Sequence, residues 1–388
     1  MSEWKEYKLG EVADIIPGFA FKSKDFGLKG ENVVKIKDIT PPCINIMNAD
    51  KVDISEYNVN RLEKYILHEG DYVVAMTGAT IGKVGKLKVN VKAYLNQRVA
   101  KIKAKEGVCD NFIYYTLCTD EFQSFIQNNI DSNSAQENIS ANSIARFPVL
   151  LPSISDQKHI ASILSSLDDK IDLLHRENAT LEVMAEILFR QWLIEEAKDH
   201  WNEMPLTKIA NFTNGLACQK YPPKNDIDKL PVLKIRELAN GISSDSDYAT
   251  TEVANEYIVH AGDVIFAWSA SLMVKIWDGE DCILNQHLFK VTSDSFPKWF
   301  YYCWCKYHLN EFITIAQSHA TTMGHIKRGD LENALVLVPS NNELKVMSDQ
   351  FDCIIQKLEN NNKEICTLIQ TRDNLLPKLM NREITIHG

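Results

Sequence analysis

The stretch LNQRVAKIK (residues 95–103) reappears as LNQHLFKV (residues 284–291), each time with Leu-Asn-Gln ahead of an alternating apolar run. Repeats have to be recognised before elements are assigned, because a missed repeat changes the whole fold. Working outward, Trp4, Leu9, Ala13 and Gly18 recur with the same spacing as Trp201, Leu206, Ala210 and Gly215. VKIKDI (34–39) is answered by LKIREL (233–238), and EGDYVVAMTGATIGKVG (69–85) by AGDVIFAWSASLMVKIW (261–277). FIYYTLC (112–118) pairs with WFYYCWC (299–305), and IARFPVLLPS (144–153) with LENALVLVPS (331–340). The order never breaks, and the offset stays between 187 and 199 residues. The chain is written twice.

Each copy divides into a head and a helix. Residues 1–155 and 200–341 read as mixed α/β heads. Short alternating runs at 72–76, 98–103 and 264–268 predict strands. Aromatic-rich stretches at 112–125 and 299–312 predict buried helices, and Gly70-Asp71 and Gly262-Asp263 supply turns before strands. Residues 156–199 and 342–388 differ in kind. Apolar residues fall at Ile160, Ile163, Leu164, Leu167, Ile171, Leu174, Leu181 and Leu188, and again at Met347, Phe351, Ile354, Leu358, Ile365, Leu368 and Leu375. Spacings of three, four and seven make a narrow apolar seam on a long helix. A helix of ~40 residues is ~60 Å long. Neither helix can hide its seam alone, so the simplest burial is against the other. Asn178 and Asn361 interrupt the seams, where a polar residue sets register, and Pro377 is expected to end or bend the second helix. The expected fold is α/β: two mixed α+β heads separated by an antiparallel long-helix coiled-coil rod, with a pseudo-twofold internal repeat.

A chain of 388 residues exceeds one comfortable core. Its 45% apolar and 24% charged residues are those of a soluble globular protein. No run of ~18 apolar residues exists to span a membrane, and the charged start MSEWKEYKLGEVAD is unlike a secretory signal. Nine scattered cysteines with no C-x-x-C pair read as reduced thiols of a cytoplasmic protein. Net charge is −10, which by itself argues against nucleic acid. The distribution says more. Residues 1–155 carry 19 basic and 19 acidic groups, whereas residues 156–199 carry 5 and 10, so half the deficit sits in one helical segment. Lys83, Lys86, Lys88, Lys92, Arg98, Lys101, Lys103 and Lys105 form a run with no acid among them. A solvated strand explains such a run, and a phosphate-facing edge is the sharper alternative.

FPVLLPSISDQKHIASILSSLDDKIDLL (147–174), the duplicated head-then-helix layout and the closing LLPKLMNREITI (375–386) resemble the specificity subunit of type I restriction–modification systems, over essentially the whole chain. The resemblance implies two target-recognition domains, 1–155 and 200–341, each reading one half of a bipartite, asymmetric site in double-stranded DNA. It also implies a central helical region, 156–199, and a C-terminal one, 342–388, that dock two methyltransferase subunits. Restriction (translocating nuclease) subunits join in some complexes. The chain itself would be non-catalytic and bind no cofactor: S-adenosylmethionine, for adenine-N6 methylation, and ATP with magnesium would belong to the partners. One departure is visible, since the first helix runs on through LFRQWLIEEAKDHW (188–201) to reach the next head.

Asn and Gln pair with adenine and Arg with guanine, so Asn96, Gln97 and Arg98 invite a base-reading role. Yet Asn96-Gln97 recurs as Asn285-Gln286, whereas heads that read different bases should differ where they read. The shared pair fits a braced turn or a common contact, and Arg98 against His287 is the better candidate for difference. Thr77 to Thr80 against Ser269 to Leu272 follow strands and are small and polar, with Thr77, Thr80, Ser269 and Ser271 able to reach phosphates or bases; a plain hairpin fits as well. Lys83 and Lys275 coincide between copies, and Lys35, Lys37, Lys86, Lys234 and Arg236 are further phosphate candidates, each also readable as a solvated surface charge. The polar loops 132–138 and 318–323 fit mobile linkers equally well. Enzyme motifs fail. GATIGK (78–83) is one residue short of a phosphate loop, with Val84 where Ser or Thr should hold magnesium. YPPK (221–224) is not an amino-methyltransferase motif. Cys303 and Cys305 with His308 hint at a metal, but their aromatic neighbours point to a buried helix, so no metal site is expected. Rival readings are a coiled-coil interaction scaffold without DNA reading, and a free-standing nucleic-acid-modifying enzyme.

Overall fold

The continuous apolar run Tyr72–Ala75, buried throughout, and the more alternating Val99–Ala104 build the centre of the first head's larger sheet. In the computed structural model, which describes residues 4–47, 49–130, 137–225, 227–243, 245–318 and 324–384, these two strands pair antiparallel. Ala13–Pro17 flanks one side, and Val84–Lys86, Cys43–Ile44 and Ile39–Thr40 the other. A second sheet runs Phe26–Gly27, Asp50–Val52, Glu31–Val34, Ala93–Leu95, Ile66–Leu67, with Glu31–Val34 and Ala93–Leu95 parallel. The second head repeats this order. Its larger sheet is Asn211–Asn214, Leu288–Thr292, Val264–Ala267, Met273–Ile276. Its smaller sheet is Tyr248–Thr250, Lys229–Leu233, Cys282–Leu284, Ile258–Val259, again with a parallel central pair. In each head an edge ribbon, Lys5–Lys8 with Pro148–Leu151 or Asn202–Pro205 with Leu335–Val338, brings the start and end of the head together.

The aromatic helices differ between copies. Lys298–Ser318 is one helix of 21 residues. Its counterpart breaks into Asp110–Leu117 and Asp120–Asn128, because Thr119 caps the second piece by accepting from the Phe122 N–H. No helix is long and apolar enough to cross a membrane among the described residues.

Two long helices, Ile154–Arg190 and Asn341–Met380, carry the seams, and the first closes on a π-helical turn over Gln191–Glu195. Pro377 does not end the second, which runs on to Met380. Within the last turn the proline withholds one N–H and the chain can still close, as the Asn381 N–H donates to the Pro377 carbonyl. Contacts divide the chain into two units, Met1–Asp169 with Gln370–Gly388, and Lys170–Ile369. Both units contain a stretch of each long helix, running antiparallel.

The seam is buried differently from the simplest expectation. Ile160, Ile171, Leu174, Phe351, Ile354, Leu358 and Ile365 are buried, with Leu164 fully so; Leu167, Leu181, Leu188, Met347 and Leu368 are half-buried. Among the described residues, only Ile171, Leu174, Ile365, Leu368 and Ile369 form a cluster made purely by the two helices. In the second unit Leu181, Leu188, Phe351 and Leu358 join the head's own core, with Phe189 edge-on to Trp304 at 4.9 Å. In the first unit Ile160 and Leu164 join Phe112 and Tyr114. Aromatic helices of the heads offer more apolar surface than a second narrow seam can.

Asn178 and Asn361 face each other inside the second unit. The Asn361 amide donates to Asn178 Oδ1 at 2.9 Å and to Glu177 Oε2 at 3.0 Å, and Asn178 donates to Asn362 Oδ1 at 2.6 Å. Asn361 is only 1% exposed. Replacing Asn361 alone by Leu leaves Asn178 Oδ1 without its donor and is expected to cost about 1–3 kcal/mol, read as a lower urea midpoint. The double replacement Asn178→Leu with Asn361→Leu should recover most of that loss. An equally damaged double variant would show that the pair is not what the asparagines contribute.

Candidate nucleic-acid interface

In both heads one crest is stitched from three segments by matching backbone hydrogen bonds. The hairpin tip meets the Leu-Asn-Gln turn where Met76 N–H donates to the Arg98 carbonyl at 2.9 Å, and Trp268 N–H to His287 at 3.3 Å. A third segment arrives after the polar loop. Ile139 N–H donates to Met76 and Gly78 N–H to Glu137; in the second head Ile326 N–H donates to Trp268 and Ala270 N–H to Gly324. Single bridges Thr77 to Asn138 and Ser269 to His325 complete the join. The remainder of those polar loops, 132–136 and 319–323, lies outside the described residues.

The shared Asn-Gln pair splits by role. Asn96 Oδ1 accepts from the Arg98 N–H at 3.4 Å and Asn285 Oδ1 from the His287 N–H at 3.3 Å, so both asparagines brace their own turn. Asn285 is buried. A glycine backs each turn. A Cβ on Gly18 would lie 2.1 Å from the Asn96 carbonyl oxygen, and one on Gly215 2.3 Å from that of Asn285, so no side chain fits. Gln97, Arg98 and His287 are exposed at the turn, with Gln286 half-buried. Ser269 Oγ lies 3.2 Å from His287 Nδ1. Ser271 is exposed, whereas the hydroxyl oxygens of Thr77 and Thr80 are buried with no partner among the described residues. GATIGK forms the 3-10 turn Gly78–Thr80 of a hairpin, not the start of a phosphate-binding helix.

The acid-free basic run is not one edge. Lys101 Nζ donates to the Ile66 carbonyl at 2.7 Å and pairs with Asp71 at 3.4 Å; Lys290 repeats this with Ile258 and Asp263. Lys103 pairs with Asp110 and Lys105 with Asp14. Lys86, a phosphate candidate, instead reaches Asn111 Oδ1 at 2.8 Å over the Tyr114 ring, and burial holds its ammonium below the usual range. Sequence alone hides this, because the acids come from distant strands and helices. Lys35 and Lys37 share Asp50, at 2.6 and 2.7 Å, and their hydrogen bonds hold that carboxyl below its usual range. Lys234 pairs with Asp247, Arg236 forks onto Glu237, and Lys275 meets Asp278 at 2.9 Å. Lys83 is exposed beside the first head's hairpin.

Sequence reasoning passed over Trp268, His325, Lys327 and Arg328 and took Asn138 only as the end of the polar loop 132–138, although the 187-residue offset sets Asn138 against His325. Trp268 stacks on Phe289 at 5.7 Å and touches the rings of His287 and His325 at 5.9 and 6.3 Å. Next to it lies a cavity of about 420 Å³ lined by Asn211, Asn214, Phe289, Lys327 and Arg328 among others. The crest offers exposed donors and acceptors on a rigid frame. Cys303 and Cys305 are buried in the Lys298–Ser318 helix, with the Cys303 thiol pushed up to about 12 by burial. His308 Nδ1 lies 3.1 Å from Glu311 and Nε2 3.0 Å from the Leu335 carbonyl. No cluster of three or more metal-ligating side chains is present among the described residues.

The domain described as "Type I restriction modification DNA specificity domain" matches residues 1–183 and 198–369. The MjaIX specificity subunit of Methanocaldococcus jannaschii is 23% identical over 99% of this chain and 94% of its own length. The EcoBI specificity subunit of Escherichia coli is 26% identical over 42% of this chain and 34% of its own. The crystal structure of a type I restriction–modification S subunit from M. genitalium shares the fold, with a TM-score of 0.55, 15% identity and coverage of 97% of this chain and 96% of that one. With the family's domain matched over both halves of the internal repeat, the chain belongs to the type I restriction–modification DNA specificity family, as a specificity subunit.

Proposed function

We propose that each head reads one half of a bipartite, asymmetric site in double-stranded DNA, and that the chain positions catalysis without performing it. The observation that supports this is a crest alike in backbone and unlike in side chains: Met76, Arg98 and Asn138 in one head stand where Trp268, His287 and His325 stand in the other. Arg and Asn match guanine and adenine edges in the major groove, and a different set must read a different sequence. Lysines such as Lys35, Lys37 and Lys234 tied to carboxylates in the heads, with a net charge of −10, favour a reader that gains affinity from its partners. Those partners are two adenine-N6 methyltransferase subunits, which bind S-adenosylmethionine, and in a restricting complex the restriction subunits, which use ATP and magnesium. Val183, Met184 and Ile187, exposed on the first long helix, supply apolar surface for docking.

The test is co-expression with the cognate methyltransferase subunit and genome-wide mapping of N6-methyladenine. A split motif with a fixed gap is expected; methylation with no common motif refutes the reading. Exchanging residues 1–155 for the head of a relative should rewrite one half of the motif, and a change in both halves would contradict one head per half-site.

A further inference from the structure

The cavity beside the second head's crest is built from residues that the internal repeat does not share. We propose that Lys327 and Arg328, exposed on its rim, are positioning residues that hold the phosphodiester backbone of the second half-site; this rests on the DNA-reading function above.

The frame behind the two cations is rigid. Ile326 is buried, and its N–H donates to the Trp268 carbonyl at 3.1 Å. Lys327 follows, with its own N–H donating to Asp330 Oδ2 at 2.7 Å, and Leu331 is buried behind them. The cavity, about 420 Å³, has an aromatic wall. Phe289 stacks on Trp268 at 5.7 Å and meets Phe212 edge-on at 5.8 Å, and Trp268 Nε1 donates to Asn214 Oδ1 at 3.2 Å. All three rings are half-buried, so each keeps apolar surface towards the opening. A DNA backbone alternates charged phosphates with apolar sugar faces, and a cationic rim over an aromatic wall offers the same alternation.

Charge separates these residues from the rest of the head. Residues 200–341 carry 12 basic and 16 acidic groups, and seven of those twelve cations are held in close ion pairs. The Lys327 ammonium has no ion pair among the described residues. Arg328 Nε reaches only Glu332 Oε1 at 4.0 Å, with side chains 88% and 57% exposed. Phosphate contact needs cations that are not already neutralised. The first head has no such set. In matching strand registers Ala100 and Pro17 stand where Phe289 and Asn214 do, and Met76 takes the place of Trp268. Ser140 and Ala141 replace Lys327 and Arg328, and Ser140 Oγ is engaged by the Ser143 N–H at 3.0 Å. The backbone grip therefore belongs to the second head.

The experiment uses the full chain in its methyltransferase complex. Lys327→Gln, Arg328→Gln and the double variant are purified in that complex, and affinity for a duplex carrying the mapped motif is measured over a range of salt concentrations. A plot of log affinity against log salt should become shallower by about 1 for each single variant and about 2 for the double, with the methylated motif unchanged. Neutral methylphosphonate linkages are then placed singly along the second half-site. One or two of them should weaken the wild type and leave the double variant unaffected. A wild-type slope in an assembled double variant overturns the proposal. So does an altered base preference, which marks a reader instead of a backbone contact, or a double variant as sensitive to every neutral linkage as the wild type. If the wild type itself shows no split motif, the DNA-reading function fails first; if it does and the variants keep its slope, only the present proposal falls.

Discussion

Phe351→Ala is expected to lower the stability of the second unit by about 3–5 kcal/mol, the usual cost of emptying a fully buried phenylalanine site. Phe351 lies on the second long helix, fully buried, with its ring 4.2 Å from that of Trp299 and nearly parallel at 7°. Trp192 meets it edge-on at 5.7 Å. Three aromatic rings from three helical segments therefore share one site, and each tryptophan loses a face of dispersion contact when the ring goes. Collapse around the hole is hindered, because Trp299 is also tied through its indole N–H to Ser348 Oγ at 2.9 Å. The readout is favourable. Trp192, Trp201, Trp268, Trp277, Trp299 and Trp304 all fall in the second unit and only Trp4 in the first, so tryptophan fluorescence follows this unit. A midpoint lower by roughly 10 °C or more is expected, with Phe351→Leu losing far less because most of the volume stays. An alanine variant that melts with the wild type would mean the stack is not a supporting contact.

The same residue shows where sequence reading stops. Its place on an apolar seam follows from spacing, but a period names a buried face and not what covers it. Burial by the other helix alone was the simplest answer; the head's own tryptophans cover much of it. The duplication, by contrast, was legible because backbone duties fix residue types. Asp71 and Asp263 each accept from the backbone N–H three residues back, at His68 and His260, and each holds a lysine from a neighbouring strand. Gly18 and Gly215 each touch a carbonyl where no Cβ fits. The crest was half legible. Leu-Asn-Gln and the hairpin tip announced themselves by likeness, whereas the third segment is joined by bonds spanning about sixty residues and carries unlike side chains. Lysine roles were illegible for a related reason, as their carboxylates are near in space and far along the chain.

Asp168→Ala is expected to destabilise the first unit by about 3–5 kcal/mol, because it strands a charge. Asp168 sits on the seam of the first long helix, one residue after the expected apolar Leu167, and is 7% exposed. Its two oxygens are fully used: Tyr115 Oη donates at 2.7 Å to one and Arg372 Nη1 at 2.9 Å to the other. Remove the carboxylate and Arg372, whose side chain is only 18% exposed, keeps Asp373 at 2.8 Å but loses its inner partner, while the Tyr115 hydroxyl loses its acceptor. The guanidinium cannot escape by deprotonating, since an arginine side chain stays charged in proteins whatever its partners. The sign of the net pair energy is a separate matter, since desolvating two ions offsets much of their attraction. That distinction gives the test its shape. Asp168→Leu combined with Arg372→Leu removes both charges, and its far-UV circular dichroism melt should lie much closer to the wild type than that of Asp168→Ala. Nearly equal midpoints for Asp168→Ala and the wild type would show that the seam tolerates the lone arginine, and the buried pair would then be incidental to how this unit holds its two helices together.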